Sequence, residues 1–279
     1  LVLFSGVQPV RSAVSEDGGK TWTELAPIGN FGGIVAMSSV VRLSDGSYMA
    51  LAHHHAPNVG ILPPDMPAAQ RAEWARRIFA GQMVVYKTIS RDGGLTWSWP
   101  EVVAGLDGLE LSEPGAVRSP DGRQIAVLMR ENTRKRNSMI IFSNDEGETW
   151  SEPVELPASL TGDRHVARYA PDGRLVIVFR DLPSRTGASP TPGDFVAWVG
   201  TYEDLVAGRE GQYRVRLLDN KGSPYDTGYA GLELLPDGTF VATTYAVLAE
   251  GEAPLVVSVR FTLEELDKKP PAFTIDLLR

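Results

Sequence analysis

Three segments of this 279-residue chain carry one pattern: Ser15-Glu16-Asp17-Gly18-Gly19-Lys20-Thr21-Trp22, Ser90-Arg91-Asp92-Gly93-Gly94-Leu95-Thr96-Trp97 and Ser143-Asn144-Asp145-Glu146-Gly147-Glu148-Thr149-Trp150. The shared form is S-x-D-x-G-x-T-W. Each copy follows a run of strand-forming residues, at 10–14, 83–89 and 138–142, and each is followed by another short run. That is the layout of a hairpin turn. The aspartate is placed to accept from backbone N–H groups one or two residues on, and the glycine takes a positive φ without steric cost. Threonine returns the chain to β geometry, and tryptophan is large enough to fill the seam behind the turn. Three copies in one chain make a repeated β unit.

A second repeat runs alongside: a strand, Asp-Gly, and a strand. Its copies centre on Asp45-Gly46, Asp121-Gly122, Asp172-Gly173 and Asp237-Gly238. Asp-Gly between two apolar runs is a strong hairpin signal. Interleaved, the two repeats predict four-stranded antiparallel units over residues 1 to about 30 (lacking its innermost strand), 34–105, 112–156, 164–219 and 229–278. In the fourth unit Thr201-Tyr202-Glu203-Asp204 stands where the S-x-D-x-G-x-T-W turn would be, and the fifth has lost it too. Radial repetition of such units is an all-β propeller, here a single domain over residues 1–279 with five blade equivalents legible. Residues 62–80 break the pattern. Asp65, then Pro67 and Ala68, start a short helix with Trp74, Ile78 and Phe79 on one face. This insertion either overhangs the axial cleft or caps an edge. The chain opens on Leu1-Val2-Leu3-Phe4, a mid-strand pattern that points to preceding sequence.

Composition narrows the function classes. Hydrophobic residues at 43% and charged residues at 22% are ordinary for a globular chain. A net charge of −8 argues against nucleic acid as a partner. The chain has no cysteine, which excludes disulfides and thiolate metal sites. No apolar run is long enough for a membrane-spanning helix.

The S-x-D-x-G-x-T-W turn resembles the Asp-box of sialidases and related propeller proteins. That resemblance implies six blades. It also places the turns on the outer rim, where Ser15, Asp17, Asp92, Asp145 and their tryptophans serve turn and seam rather than catalysis.

In a propeller the ligand cleft lies at one end of the axis, lined by the start of each innermost strand and the end of the next. The repeat lets those positions be counted. Eight residues before each Asp-Gly aspartate come Met37, Glu113, Arg164 and Tyr229; eight or nine after it come His53, Arg130, Arg180 and Tyr245. His54, His55 and His165 lie beside them. Packing alone would make these positions apolar. Ionisable side chains converging where the repeat predicts the axis mark a candidate site. Arg130, Arg164 and Arg180 suit one carboxylate, held by charge-assisted and partly bidentate bonds. A tyrosine becomes a nucleophile when a carboxylate takes its proton, and a neutral Tyr–Glu pair suits an anionic substrate that would repel a bare carboxylate.

The resemblance reaches these residues. Ser112-Glu113-Pro114, leading to Asp121-Gly122 and Val127-Leu128-Met129-Arg130, resembles the sialidase blade that carries the base glutamate and one arginine of the carboxylate-binding triad. Gly228-Tyr229-Ala230-Gly231-Leu232, with Asp237-Gly238 and the closing Phe261-Thr262-Leu263-Glu264-Glu265-Leu266, resembles the final sialidase blade with its nucleophilic tyrosine. It implies Tyr229 as nucleophile, Glu113 as base and Arg130 in the triad, in an exo-acting hydrolase for a glycan with a terminal acidic sugar. It also implies a secreted or periplasmic location. Arg164, Arg180, His53, His165 and Tyr245 complete the expected substrate-binding set, and no metal or cofactor is expected. The family's Phe-Arg-Ile-Pro motif does not occur here. Its acid/base aspartate has three loop candidates, Asp65, Asp163 and Asp226. The run His53 to His55 is not a sialidase feature. It supports an alternative: a propeller glycosidase or lyase on uronic-acid-containing glycans, with His53 or His165 in acid/base work. A third reading is a non-catalytic glycan-binding propeller.

Overall fold

The computed structural model describes residues 1–6, 9–29, 31, 35, 37–55, 67, 82–220 and 227–268. The expected helical insertion at 62–80 lies outside the described residues apart from Pro67.

The described chain forms five antiparallel sheets, the blades of an all-β propeller. The first holds β1 (Val2–Ser5), β2 (Arg11–Val14) and β3 (Ala26–Pro27). The second holds β4 (Ser39–Arg42), β5 (Tyr48–His55), β6 (Met83–Ser90) and β7 (Glu101–Ala104). The third holds β8 (Leu111–Arg118), β9 (Ile125–Glu131), β10 (Met139–Ser143) and β11 (Val154–Glu155). The fourth holds β12 (Gly162–Tyr169), β13 (Leu175–Asp181), β14 (Phe195–Gly200) and β15 (Tyr213–Leu218). The fifth holds β16 (Gly228–Leu234), β17 (Phe240–Ala246) and β18 (Leu255–Phe261). Within each sheet the strands follow one another in chain order. The limits fall within a few residues of those read from the repeats, except that the fifth sheet ends at Phe261 where the repeats take the unit to 278. The sixth blade implied by the family resemblance is not found among the described residues.

The three S-x-D-x-G-x-T-W segments form one turn three times over. Asp17 Oδ1 accepts from the backbone N–H groups of Lys20 and Thr21, both at 2.9 Å, and Oδ2 accepts from Thr21 Oγ1 at 2.6 Å. The bonds therefore reach three and four residues on, not one or two. Ser15 Oγ accepts from Gly19 N–H at 2.8 Å, and Trp22 Nε1 donates to the Gly19 carbonyl at 3.1 Å. Asp92 and Asp145 repeat the aspartate–threonine clasp. Thr21, Thr96 and Thr149 hydroxyls are the main reason these three carboxyls sit at a pKa of about 2. Trp150 packs at the interface of the second and third blades and Trp97 lies edge-on to Phe4 at 5.3 Å, whereas Trp22 is substantially exposed.

The fourth and fifth blades replace that turn with a helix. Helix α1 (Tyr202–Ala207) starts from a capping box between Thr201 and Asp204, and α2 (Leu263–Asp267) from one between Thr262 and Glu265. Each box satisfies N–H groups that the first helical turn leaves without partners.

The core is a series of blade–blade seams. Leu128 and Ile140 of the third blade meet Ile177, Phe179 and Trp198 of the fourth. Val176, Val178 and Phe195 of the fourth meet Leu232 and Phe240 of the fifth. The first strands β4, β8, β12 and β16 lie side by side, which sets their equivalent positions around one axis.

Candidate active site

Three of the five described non-glycine residues with positive φ are Glu113 (51°), Arg164 (62°) and Tyr229 (52°). These are three of the positions counted eight residues before an Asp-Gly aspartate. Each sits in a β-bulge at the start of its blade's first strand, where the register shifts between Ser112 and Gly115, Asp163 and Val166, or Gly228 and Gly231. A left-handed residue in a bulge breaks the in–out alternation and re-aims its side chain. For Glu, Arg or Tyr that conformation costs on the order of 1–3 kcal/mol and persists only when the surroundings enforce it. Three consecutive blades store this strain at one register. The side chains meet at a pocket of about 250 Å³, walled on the second blade by Met37.

Glu113 is nearly buried at 6% exposure. Its Oε1 accepts from Arg164 Nε at 2.9 Å and Arg130 Nη1 at 3.3 Å, and Oε2 has no hydrogen-bond partner. Its backbone N–H donates to His53 Nδ1 at 3.1 Å across the seam from the second blade. The Arg164 Nη1 group donates to the Thr227 carbonyl at 3.2 Å and reaches Tyr245 Oη at 3.5 Å. Its Cζ lies 3.7 Å from the centroid of the Tyr229 ring. Tyr229 is 52% exposed, and its ring stacks on Tyr245 with centroids 6.2 Å apart. Gly228 makes room for this guanidinium: a Cβ there would stand 2.2 Å from Arg164 Nη1. Burial would lower the Arg164 pKa, but Glu113 and the two tyrosine hydroxyls raise it above the ordinary value.

Glu113, Arg164 and Tyr229 therefore share one pocket, but no hydrogen bond joins Tyr229 to Glu113. Arg164 lies between them.

A second carboxylate organises the other arginines. Asp163 belongs to strand β12 and is fully buried. Arg180 donates to its Oδ2 from Nε at 3.0 Å and from Nη2 at 2.5 Å; Arg134 Nη2 donates to Oδ1 at 2.5 Å. Arg130 Nε lies 3.3 Å from the same Oδ1. Burial would raise this carboxyl, but Arg134, Arg130 and Arg180 together hold it below the usual carboxylate range. Two expectations change. Asp163 is an ionised internal anchor on a strand, not a loop acid/base group. Arg180, expected to grip substrate, is buried against Asp163 and the Thr227 carbonyl at 2.9 Å. Asp65 and Asp226 lie outside the described residues.

His165 lines the same pocket. Its ring stacks on Phe179 at 4.9 Å, and Nε2 bonds the Leu160 carbonyl at 2.8 Å. Burial pushes its pKa down to about 4, so it is neutral near pH 7 and forms wall rather than acid. His53 is buried, with Nδ1 engaged by the Glu113 N–H. Arg134 was not at a counted position. It follows the end of β9 and reaches Asp163, 29 residues on, which no local spacing announces. Among the described residues no cluster of His, Cys, Asp or Glu suits a metal ion, and no helix is long and apolar enough to cross a membrane.

Blades with rim turns of this form, around a pocket lined by Glu113, Arg164 and Tyr229, define a repeat-built propeller. The chain belongs to the BNR repeat-like domain family, which matches residues 13–186, more than half of it. No curated protein sequence matches it significantly. Among solved structures it is similar to a protein of unknown function from Dyadobacter fermentans (TM-score 0.67, 17% identity, 90% of this chain and 63% of that one). It is similar to the NanB sialidase from Streptococcus pneumoniae (TM-score 0.60, 13% identity, 92% and 36%). It is also similar to the intramolecular trans-sialidase from Ruminococcus gnavus (TM-score 0.59, 16% identity, 94% and 52%). The chain thus spans less than two thirds of each of these, and at such identities the likeness is one of fold.

Proposed function

We propose that this chain is a glycan-acting propeller enzyme, an exo-glycoside hydrolase that takes a terminal acidic sugar into the axial pocket. One observation carries the reading: Glu113, Arg164 and Tyr229 occupy the same strained register on three consecutive blades and meet at one pocket. Strain held at a shared position is characteristic of functional sites. The pocket has room for about one sugar ring. Arg164 Nη2 makes no hydrogen bond among the described residues, which leaves it as a donor for a substrate carboxylate. Tyr229, half exposed, is the nucleophile. Its oxygen bonds to the anomeric carbon as the glycosidic C–O bond breaks, its proton goes to Glu113, and the leaving oxygen takes a proton from solvent. Water then cleaves the glycosyl–tyrosine bond. Catalytic hydrogen bonds are often long without substrate and tighten in its complex, so the missing Tyr229–Glu113 contact is compatible with this role. The histidine-based alternative is less well supported, because His53 and His165 are both engaged in the framework.

The test is hydrolysis of a fluorogenic sialic acid glycoside and of a matching glucuronide, by wild type and by Tyr229→Phe. Turnover of either that the variant loses supports the reading. Saturable binding of both free sugar acids with no turnover of either glycoside would replace it with a binding propeller.

A further inference from the structure

We propose that His53 is a positioning residue for this site: its ring holds the Glu113 backbone in the left-handed conformation that delivers the carboxylate to the pocket. The inference rests on the reading above, in which Glu113 takes the nucleophile's proton, and adds to it a residue that acts only through Glu113.

Glu113 is strained for two local reasons. It is not glycine, and it precedes Pro114, which favours an extended conformation at the residue before it. Its φ of 51° is therefore imposed from outside its own strand. The bulge leaves two residues, Glu113 and Pro114, between the paired Ser112 and Gly115. Proline has no N–H. The Glu113 N–H is thus the one backbone donor the bulge sets free, and the residue is buried, where a donor without a partner is costly. His53 Nδ1, reaching across from the second blade, accepts it at 3.1 Å. Histidine suits the task. Nδ1 lies close to its own backbone, and it accepts when the neutral ring carries its proton on Nε2. A carboxylate there would also accept but would set a like charge beside Glu113.

The same brace recurs around the axis. His53 occupies the position counted eight or nine residues after an Asp-Gly aspartate, and its counterparts reach the next blade too. Arg130 of the third blade lies 3.3 Å from Asp163, at the bulge of the fourth. Arg180 of the fourth donates at 2.9 Å to the carbonyl of Thr227, beside the bulge of the fifth. For Glu113 the grip is on the backbone, while Arg164 and Arg130 hold the other end through Oε1. Oε2 has no hydrogen-bond partner and remains to take a proton.

Two measurements on the whole chain test this, one of them without substrate. Amide hydrogen exchange is followed by NMR at Glu113 relative to Leu128, in the core of the same blade, in wild type, His53→Leu and His53→Gln. His53→Leu is expected to speed exchange at Glu113 about tenfold relative to Leu128, the scale of one hydrogen bond, and His53→Gln, whose side-chain carbonyl accepts, to restore most of the protection. Turnover of the sialic acid glycoside and of the glucuronide is then compared. Misplacing Glu113 in His53→Leu is expected to lower kcat about 100-fold with KM little changed, again largely recovered in His53→Gln. Exchange at Glu113 unchanged relative to Leu128 in His53→Leu, or full kcat there, would overturn the proposal, because Arg130 and Arg164 would then hold Glu113 unaided. Should His53→Leu not fold, the wild-type histidine nitrogen NMR spectrum decides: an unprotonated His53 Nδ1 coupled to the Glu113 amide supports the brace, and a proton on Nδ1 overturns it. No turnover by wild type, with the exchange pattern as expected, would overturn the hydrolase reading and leave His53 as the residue that holds Glu113.

Discussion

Asp163→Asn replaces one oxygen by an amide and removes one charge, at nearly constant volume. In the folded protein that carboxylate is fully buried and receives Arg180 on Oδ2 and Arg134 on Oδ1, with Arg130 at 3.3 Å. An asparagine keeps one acceptor, so either Arg180 or Arg134 must face an NH₂ group that donates. Three guanidiniums are then left around a neutral side chain. Breaking a buried ion pair by removing one partner costs about 3–5 kcal/mol. For a chain of this size each kcal/mol shifts the melting temperature by roughly 2–4 °C, so a drop of about 6–20 °C is expected in a calorimetric melt at pH 7. The pH dependence has a fixed sign. The folded Asp163 pKa lies below its ordinary value of 3.8, so its contribution is complete above pH 3.8 and is lost as pH falls through the depressed folded value. The gap between wild type and variant should accordingly be the same at pH 5 as at pH 7. A variant within about 1 kcal/mol of wild type at pH 7 would refute the claim that Asp163 holds these arginines in place.

Three further outcomes follow from named contacts. His53→Leu strands the buried Glu113 N–H and should cost about 1–3 kcal/mol in urea unfolding, most of it recovered in His53→Gln, whose carbonyl can accept; equal loss in both would deny the bond any importance. Gly115→Ala would set a Cβ 2.1 Å from the His165 carbonyl oxygen across the third seam. Backbone cannot swing aside as a side chain can, so this should destabilise by about 1–3 kcal/mol, and a neutral melt would mean the seam is looser than described. His165 is held at about 4 against an ordinary 6.5, so the unfolded chain binds its proton first and stability should rise from pH 4 to pH 6.5. That rise should be shallower in His165→Asn, and parallel slopes would contradict its burial as a neutral ring.

Much of the fold was legible because turns announce themselves locally. Asp-Gly and S-x-D-x-G-x-T-W name the residues that make their own hydrogen bonds, and blade limits follow from their spacing. The counted register brought Met37, Glu113, Arg164 and Tyr229 to one pocket because repeats place equivalent positions at equivalent radii. The two helical rim elements were also written in the sequence, as Thr201-x-x-Asp204 and Thr262-x-x-Glu265, but that signature competes with the expectation of another turn. The bulges were not legible. Glycine advertises a positive φ; Glu113, Arg164 and Tyr229 do not, and only contacts from neighbouring blades force them there. Nor could the arginines be sorted by type alone. Arg130, Arg164 and Arg180 look alike in a sequence, yet Asp163 claims Arg180 and shares Arg130, while Glu113 claims Arg164.

That sorting bears on how such a pocket acquires its chemistry. Each bulge fixes a backbone direction from the blade's own hydrogen bonding, with the choice of side chain left open. The second blade supplies Met37 at the equivalent position and forms an apolar wall. The next three supply a carboxylate, a guanidinium and a phenol. A pocket assembled this way has one nonpolar side and one side where a guanidinium stands beside a phenol. The internal carboxylates set how strong that grip is. Four arginines, Arg130, Arg134, Arg164 and Arg180, face two acids, Glu113 and Asp163. Among these groups two positive charges remain, and they sit where solvent is largely excluded and screening is weak. On the proposed reading, the carboxylate of an acidic sugar would offset one of these charges, whereas a neutral sugar would leave both as they are. Preference for the glucuronide or sialoside over the corresponding neutral glycoside, changing little as salt rises, is the pattern the proposed reading predicts from this charge count.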